Sequence, residues 1–275
     1  MLSIITAVHN QLAMNRLFLE NLKRYSSLQH QLVVIDNCST DGSAEFFEQQ
    51  GATVIRNERN YSYPHSQNQG IRASQYEYLA FLNNDLIVSK EWDRRAIQIF
   101  ESNKLDIASW CSTDRCESQE ATVAASRKWK RIRNPLLFLF GPRYLNLKIM
   151  HRWMYGDWDQ WIDDRYAKFG STTKEGFTGC ALLTTKKVLD KLGWWDETIQ
   201  AADFDLFLRT KERSLIRGDV KPIQLMLGVY LHHFVRLTYK SRVPAFADSA
   251  QLSDVETKWG KENVNRLLVD TDVRI

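Results

Sequence analysis

QLVVIDNCSTDGS, residues 31–43, is the stretch on which the reading of the fold turns. Its first six residues, Gln31–Asp36, form a short apolar run with β-branched side chains, as a strand buried on both faces requires. The run then breaks into Asp36-Asn37-Cys38-Ser39-Thr40-Asp41-Gly42-Ser43, a concentration of turn formers. Ser43–Gln50 reads as a short helix. A buried strand that ends in a polar turn and feeds a helix is the repeating unit of a parallel sheet covered on both sides. Upstream, Ser3–Val8 is a second such strand, followed by a helical stretch from about Met14 to Tyr25. Downstream come a strand at Ala52–Arg56, a helix at Pro64–Ser74 with proline in its first turn, and a strand at Tyr78–Leu82. Glu91–Ser102 then places Trp92, Ala96, Ile99 and Phe100 on one helical face.

The second half is less regular. Ile107–Cys111, Gly179–Thr184 and Leu227–His233 read as strands, Lys186–Leu192 and Asp203–Arg213 as helices. The tail from Ser241 is polar and is expected to pack on the surface as helix or loop. No repeat and no Gly/Ser linker divides the chain, which is therefore expected to be one continuous α/β domain with two functional halves. Its 275 residues are 44% hydrophobic and 25% charged, enough to bury a core without disulfide staples. Four cysteines without a C-x-x-C pair argue against a disulfide scaffold or structural zinc. No run approaches the ~20 apolar residues that cross a bilayer. Leu2–Val8 lacks a basic leader and is not expected to be a signal peptide. A cytoplasmic protein is the expectation, with contact at the inner membrane face as its extension.

Net charge is +4, but it is unevenly spread. Between Glu120 and Asp157 there is no acidic residue and there are eight basic ones: Arg127, Lys128, Lys130, Arg131, Arg133, Arg143, Lys148 and Arg152. Trp129, Trp153 and the run LLFLF (Leu136–Phe140) lie among them. Such a segment suits a membrane surface, a nucleic acid or another polyanion; a merely solvated basic face is the competing reading.

In an open parallel sheet, ligands bind beyond the carboxyl ends of the strands. Here those ends carry His9-Asn10, Asp36-Asn37, Asn60 and Asn83-Asn84-Asp85. Each alone reads as an Asx turn; four together read as a site. The phosphate-binding patterns G-x-G-x-x-G and G-x-x-x-x-G-K-[ST] are missing. Asp36 can accept hydrogen bonds from a ribose hydroxyl or a base N–H. Asp85 offers a hard oxygen of the kind Mg²⁺ or Mn²⁺ takes while bridging phosphates. A nucleoside diphosphate held through a metal fits this inventory.

These residues also resemble a family. DNCSTDGS is similar to the D-x-x-S-x-D-G-[ST] motif of the inverting glycosyltransferases of family 2, which have the GT-A fold. SIITAVHNQ resembles that family's first strand, and Asn60–Gly70 its N-x-G-x-x-x-A-x-N-x-G segment, with Ser62 at the usual glycine. LAFLNNDLIV resembles its D-x-D site in the form N-N-D. GCALLT, LGWWDE and Ala202–Arg209 resemble the acceptor-side block, usually E-D-x-D-L-x-x-R. The blocks span roughly residues 2–110 and 176–240; residues 111–175 carry none of them. The resemblance implies a nucleotide-sugar-binding half at 1–110. It implies an acceptor-binding and catalytic half at 111–240, with a basic aromatic insertion at about 120–156, and a C-terminal tail at 241–275.

By the same resemblance, Thr6, Asn10, Asp36, Asn68 and Asn84 surround the nucleotide, and Asp85 coordinates a divalent ion, Mn²⁺ or Mg²⁺. His233, five residues before Thr238, faces the diphosphate as a further metal-site residue, with His232 the weaker candidate because strand neighbours point to opposite faces. Asp203 is the general base and Asp205 a scaffold residue. Asn83 and Ala202 depart from the pattern, each removing a carboxylate. The implied chemistry is transfer of a sugar from a UDP-sugar to an acceptor hydroxyl with inversion, the base taking the hydroxyl proton as attack proceeds. Arg127, Lys128, Trp129, Lys130, Arg131 and Trp153 are expected to touch the acceptor, a glycan or glycolipid. A nucleic-acid acceptor, or a binding module without turnover, are the alternatives.

Overall fold

The computed structural model describes residues 1–235, 237, 245–269 and 271. Its strands are β1 (Leu2–Val8), β2 (His30–Asn37), β3 (Thr53–Asn57), β4 (Tyr78–Leu82), β5 (Leu86–Ile87), β6 (Ile107–Ser112), β7 (Thr173–Glu175), β8 (Ala181–Thr185) and β9 (Gln224–His233). The helices are α1 (Leu12–Tyr25), α2 (Ser43–Gln49), α3 (Tyr63–Ala73), α4 (Trp92–Ser102), α5 (Gln119–Phe140), α6 (Tyr144–Tyr155), α7 (Trp158–Phe169), α8 (Lys186–Leu192), α9 (Ala202–Arg217), α10 (Val255–Trp259) and α11 (Lys261–Leu268). They build one sheet in the order β3-β2-β1-β4-β8-β6-β9-β5, with β7 pairing β9. The first four neighbours run parallel, β8 runs antiparallel between β4 and β6, and β6 and β9 run parallel to each other.

Alternation along the strands sends side chains to two cores. Leu2, Ile4, Val8, Val34, Ala80 and Leu82 face α1 and α4, while Ile5, Val33, Ile35, Leu79 and Phe81 face α3, α8 and α9. Close approach on the second face depends on Gly70 of α3, where a Cβ would lie 2.2 Å from the Ile5 side chain. The pairing of β6 with β9 jumps from Trp110–Met226 to Cys111–Tyr230, so residues 227–229 bulge. Gly228 in that bulge lies against the Gly170 carbonyl, 2.1 Å from where a Cβ would stand. Such a bulge re-aims the rest of its strand, here Tyr230–His233.

Two expectations change. Residues 119–169, which carried no placed motif, form the three helices α5–α7, which help cover the first core through Trp129, Leu136, Leu147, Met150, Met154, Trp158 and Ile162. The polar tail is not merely a surface segment. Val255, Val264 and Leu267 are buried in the second core, and Ser62 donates its backbone N–H to Asp248 (3.0 Å) and its hydroxyl to the same carboxylate. Polar residues alternate with these anchors, which hid them. Thr238 and residues 241–244 of that tail lie outside the described residues. Among the described residues no helix is long and apolar enough to cross a membrane.

Under α6 a buried aromatic cluster holds two histidines. His151 packs on Tyr155, Trp158 and His232, and the buried Nε2 atoms of His151 and His232 have no hydrogen-bond partner among the described residues. Burial pushes the His151 imidazole down to about 3, and burial, with His151 and His233 nearby, lowers His232 well below its ordinary value. At neutral pH both folded and unfolded His151 are neutral. As pH falls below about 6.5 the unfolded chain takes up the proton and the folded chain does not, so stability is lost progressively toward pH 3. Melting temperature measured from pH 7 to pH 4 should therefore fall, and the fall should be shallower in His151→Phe; an unchanged slope would exclude this cluster as its cause.

Candidate functional site

The topology explains why one edge of the sheet carries the chemistry. The carboxyl ends of β1, β2, β4, β6 and β9 and the start of antiparallel β8 all open on that edge. They are tied together there: Asn83 N–H donates to the Cys180 carbonyl (2.9 Å), Phe234 N–H to the Asp85 carbonyl (3.0 Å), and His233 N–H to the Thr113 hydroxyl (3.1 Å).

At the β1–β2 end the loops after the two strands are laced together. Asn10 N–H donates to the Ser39 hydroxyl (2.7 Å), and Thr40 N–H donates to Asn10 Oδ1 (2.8 Å). Asn10 and Cys38 sit at φ 57° and 53°, in the left-handed region, which asparagine tolerates better than most residues. Asp41 accepts from the N–H groups of Leu12 (2.8 Å) and Ser43 (3.1 Å), so the second acid of the motif braces the starts of α1 and α2. Asp36 differs. Its Oδ2 accepts from Ser39 N–H (3.1 Å), while its Oδ1 is buried without a partner among the described residues. A buried carboxylate oxygen with nothing to accept from is costly unless a ligand supplies the donor.

In the middle of the edge, His233 stands between two carboxylates. Its Nε2 is 3.2 Å from Asp85 Oδ1 and its Nδ1 3.3 Å from Asp114 Oδ1. Burial opposes a charge on this imidazole, but Asp85, the Cys180 thiol and Asp114 outweigh it and hold His233 well above its ordinary value. Asp114 is held at about 2: burial pushes up, and the His233 charge and its hydrogen bond overcome it. One ligand atom each from Asp114, Cys180 and His233 lies within 4.8 Å of the others. Asn84 donates to Asn15 Oδ1 (2.7 Å) and so fixes the turn before Asp85 to α1.

Beside the start of β8, Asp203 occupies the first turn of α9. Its carboxylate rests on Gly179, where a Cβ would come within 2.1 Å of Oδ2. Burial raises its proton affinity; backbone N–H groups of Phe204 and Asp203 pull the other way, and the Asp114 charge pushes up again, leaving the group above its ordinary value. Burial and the charges of Asp203 and Cys180 also keep the Tyr63 hydroxyl protonated. Asp205 is wholly internal: it pairs Arg209 (2.8 Å) and Lys258 (2.6 Å) and accepts from Trp259 Nε1 (2.9 Å), which fastens α10 to α9. It is a scaffold residue, as the resemblance implied.

The structure brings Asn10, Asp36, Asn84, Asp85, His233 and Asp203 to one edge but sets other expected residues elsewhere. Thr6 lies two residues back inside β1, fully buried on the α1 side, with Oγ1 unpartnered. Asn68 spends its amide on the loop before α9, donating to the Trp195 carbonyl (2.9 Å) and Glu197 (2.7 Å) and accepting from Trp195 N–H (3.2 Å). Its polar atoms are consumed by bracing. Trp129 is a core residue, edge-on to His232 and Phe234, because an indole on the inner stripe of α5 has a hydrophobic wall to cover. Lys128 donates to the Met154 carbonyl and ties α5 to α6. Arg127, Lys130, Arg131 and Trp153 are exposed, and no hydrogen bond or ring contact among the described residues joins them to Asp85, Asp203 or His233. Asp114 and Cys180 were missed. Asp114 follows a strand the sequence did reveal, so the strand-end rule reaches it; Cys180 precedes an antiparallel strand and needed the topology.

A sheet of this order with this edge is the GT-A fold. The family model described as glycosyl transferase family 2 matches residues 3–157, more than half of the chain, and the chain belongs to that family. An uncharacterized glycosyltransferase of Haemophilus influenzae is 34% identical over 104 residues, which are 38% of this chain and 35% of that protein. The chain thus spans about a third of the length of this curated relative. Among solved structures, S. aureus TarS 1–349 in complex with UDP has a TM-score of 0.54 at 14% identity, over 99% of this chain and 67% of that one. GalNAc-T7 with UDP, GalNAc and Mn²⁺ has a TM-score of 0.58 at 11% identity, over 88% and 45%.

Proposed function

We propose that the chain transfers a sugar from a UDP-sugar to an acceptor hydroxyl with inversion at the anomeric carbon. One observation carries the reading. A nucleoside-side acceptor group (Asp36), a carboxylate–imidazole cluster (Asp85, His233, Asp114) and a carboxylate of raised proton affinity (Asp203) share one sheet edge. They offer one partner each to base or ribose, diphosphate and acceptor. Relatives by fold crystallise with UDP and with UDP and Mn²⁺, which supports this donor class.

Asp36 Oδ1 accepts a hydrogen bond from the base or ribose. Asp85 would hold a divalent ion, Mn²⁺ or Mg²⁺, through its carboxylate oxygen, and His233 would join it as a ligand once the ion displaces the ring proton. When bound, the ion supplies charge that offsets the negative charge developing on the leaving diphosphate. Asp203 removes the proton from the attacking hydroxyl; its raised proton affinity favours that transfer. Asp114 holds His233 Nδ1 at 3.3 Å and orients the imidazole. The acceptor is a glycan or glycolipid hydroxyl.

Release of nucleoside diphosphate from a panel of nucleotide sugars, with Mn²⁺, with Mg²⁺ and with chelator, tests the reading. Metal-dependent turnover of a UDP-sugar is the expected result, and Asp36→Ala should weaken UDP binding measured by calorimetry. Binding of no nucleotide sugar under any of the three conditions would overturn the proposal.

A further inference from the structure

The basic aromatic segment forms a hairpin that the site does not absorb. α5 and α6 pack antiparallel through Leu136, Leu147, Met150 and Met154, and Asn146 clamps the turn by donating to the carbonyls of Leu136 (2.9 Å) and Gly141 (2.7 Å). The tip nevertheless shows solvent a dense apolar surface. Phe138 is 86% exposed, Leu139 65%, Phe140 56% and Leu145 71%, and Ile149 and Trp153 extend the strip along the outer face of α6. Leu145, Ile149 and Trp153 recur every fourth residue, the spacing of one helical stripe. The inner stripe of the same helix is already buried, so α6 is apolar on two faces.

We infer that this hairpin tip docks the protein onto an anionic lipid surface. Charge complementarity selects the occupant: Arg127, Lys130, Arg131 and Arg143 are exposed and form no ion pair among the described residues, and no acidic residue lies between Glu120 and Asp157. The shape of the tip points the same way. Three consecutive helical residues project about 100° apart, so Phe138, Leu139 and Phe140 surround the helix end rather than lining one side. A flat protein face covers one side of a helix; a fluid bilayer interface closes around all of it. Aromatic and aliphatic groups enter the headgroup boundary while cations remain with the phosphates. The docking also orients the catalytic edge. Trp129, nine residues before Phe138 and in contact with His232, lies about 13 Å up the α5 axis from the tip. The edge bearing His233 thereby stands close above the lipid headgroups.

Sedimentation of the whole chain with phosphatidylglycerol–phosphatidylcholine vesicles, against phosphatidylcholine alone, tests this. The chain should pellet with the anionic vesicles and less so as salt rises. The triple variant Phe138→Ser, Leu139→Ser, Phe140→Ser should lower vesicle affinity by about tenfold or more, with melting temperature and UDP binding unchanged. Arg127→Gln with Lys130→Gln and Arg131→Gln should lose much of the salt dependence. Equal pelleting of parent and serine variant, or no pelleting of the parent, would overturn the inference. So would a concentration-dependent dimer in sedimentation velocity that the serine variant abolishes, since the tip would then belong to a second copy. Failure to bind UDP would overturn the donor reading and leave the vesicle result standing.

Discussion

Asp203→Asn should lower sugar transfer by about 10²–10⁴-fold, the usual contribution of a positioned base, while UDP affinity stays at the parental value. The substitution keeps the size of the side chain and removes its capacity to take a proton. The carboxylate rests on Gly179 and takes the acceptor's proton in the proposed reaction, so the nucleotide is expected to lose no contact. Its proton affinity is raised by burial and by the Asp114 charge. The acid limb of the pH–rate profile should accordingly lie above the ordinary carboxylate range, and Asp114→Asn should move that limb down. Gly179→Ala offers an independent check, because a methyl group there would occupy the space of Asp203 Oδ2. The carboxylate is the end of a flexible side chain and can swing away at small cost to stability. Transfer should fall while the melting temperature holds. Transfer at near-parental rate in Asp203→Asn would move the base to Asp114, the other carboxylate facing the same space.

How much of the fold and site is legible in the sequence follows from the kind of signal each feature leaves. β1, β2 and β4 are buried on both faces, so each leaves a continuous apolar run, and the expected bounds differ from the observed ones by no more than one residue at either end. Asp36 and Asp85 stand out in the sequence because a rule of topology, not of local pattern, makes strand ends informative. The misses share a cause. Asn68 sits in a family-like segment, yet which atoms its amide faces depends on the 194–197 loop, 127 residues away. Trp129 shares its segment with cations, and nothing local says which stripe of a helix finds a core. Asp114 and Cys180 meet His233 only through the β8-β6-β9 order, which inserts an antiparallel strand between parallel ones. Val255, Val264 and Leu267 are too sparse to announce that the tail seals the second core. What escaped is long-range pairing; what was caught is local periodicity and its ends.

Asp85→Ala should abolish the metal-dependent part of UDP binding. In the parent, Asp85 is nearly buried, directs one oxygen to His233 Nε2 at 3.2 Å, and follows the end of β4, the neighbour of β1 in the sheet. Removing it takes away the carboxylate that would hold the ion against the diphosphate, and leaves His233 with Asp114 alone. Calorimetry with UDP should then give the same affinity with Mn²⁺ as with chelator. A thermal-shift titration supplies a second readout. A ligand at about 100 times its Kd stabilises a folded chain by about 2.7 kcal/mol, so Mn²⁺ with UDP should raise the parental melting temperature by several degrees and the variant's by no more than UDP alone. Two arrangements compete for the ion. In one it rests on Asp85 with His233; in the other it rests on Asp114, Cys180 and His233, whose ligand atoms already lie within 4.8 Å of one another. The pair of variants separates them. Loss of the metal effect in Asp85→Ala with its survival in Cys180→Ser places the ion at the β4 strand end, where an oxygen-rich set favours Mn²⁺ or Mg²⁺ over softer ions. The reverse pattern would put it on the thiol-bearing set and overturn the assignment of Asp85.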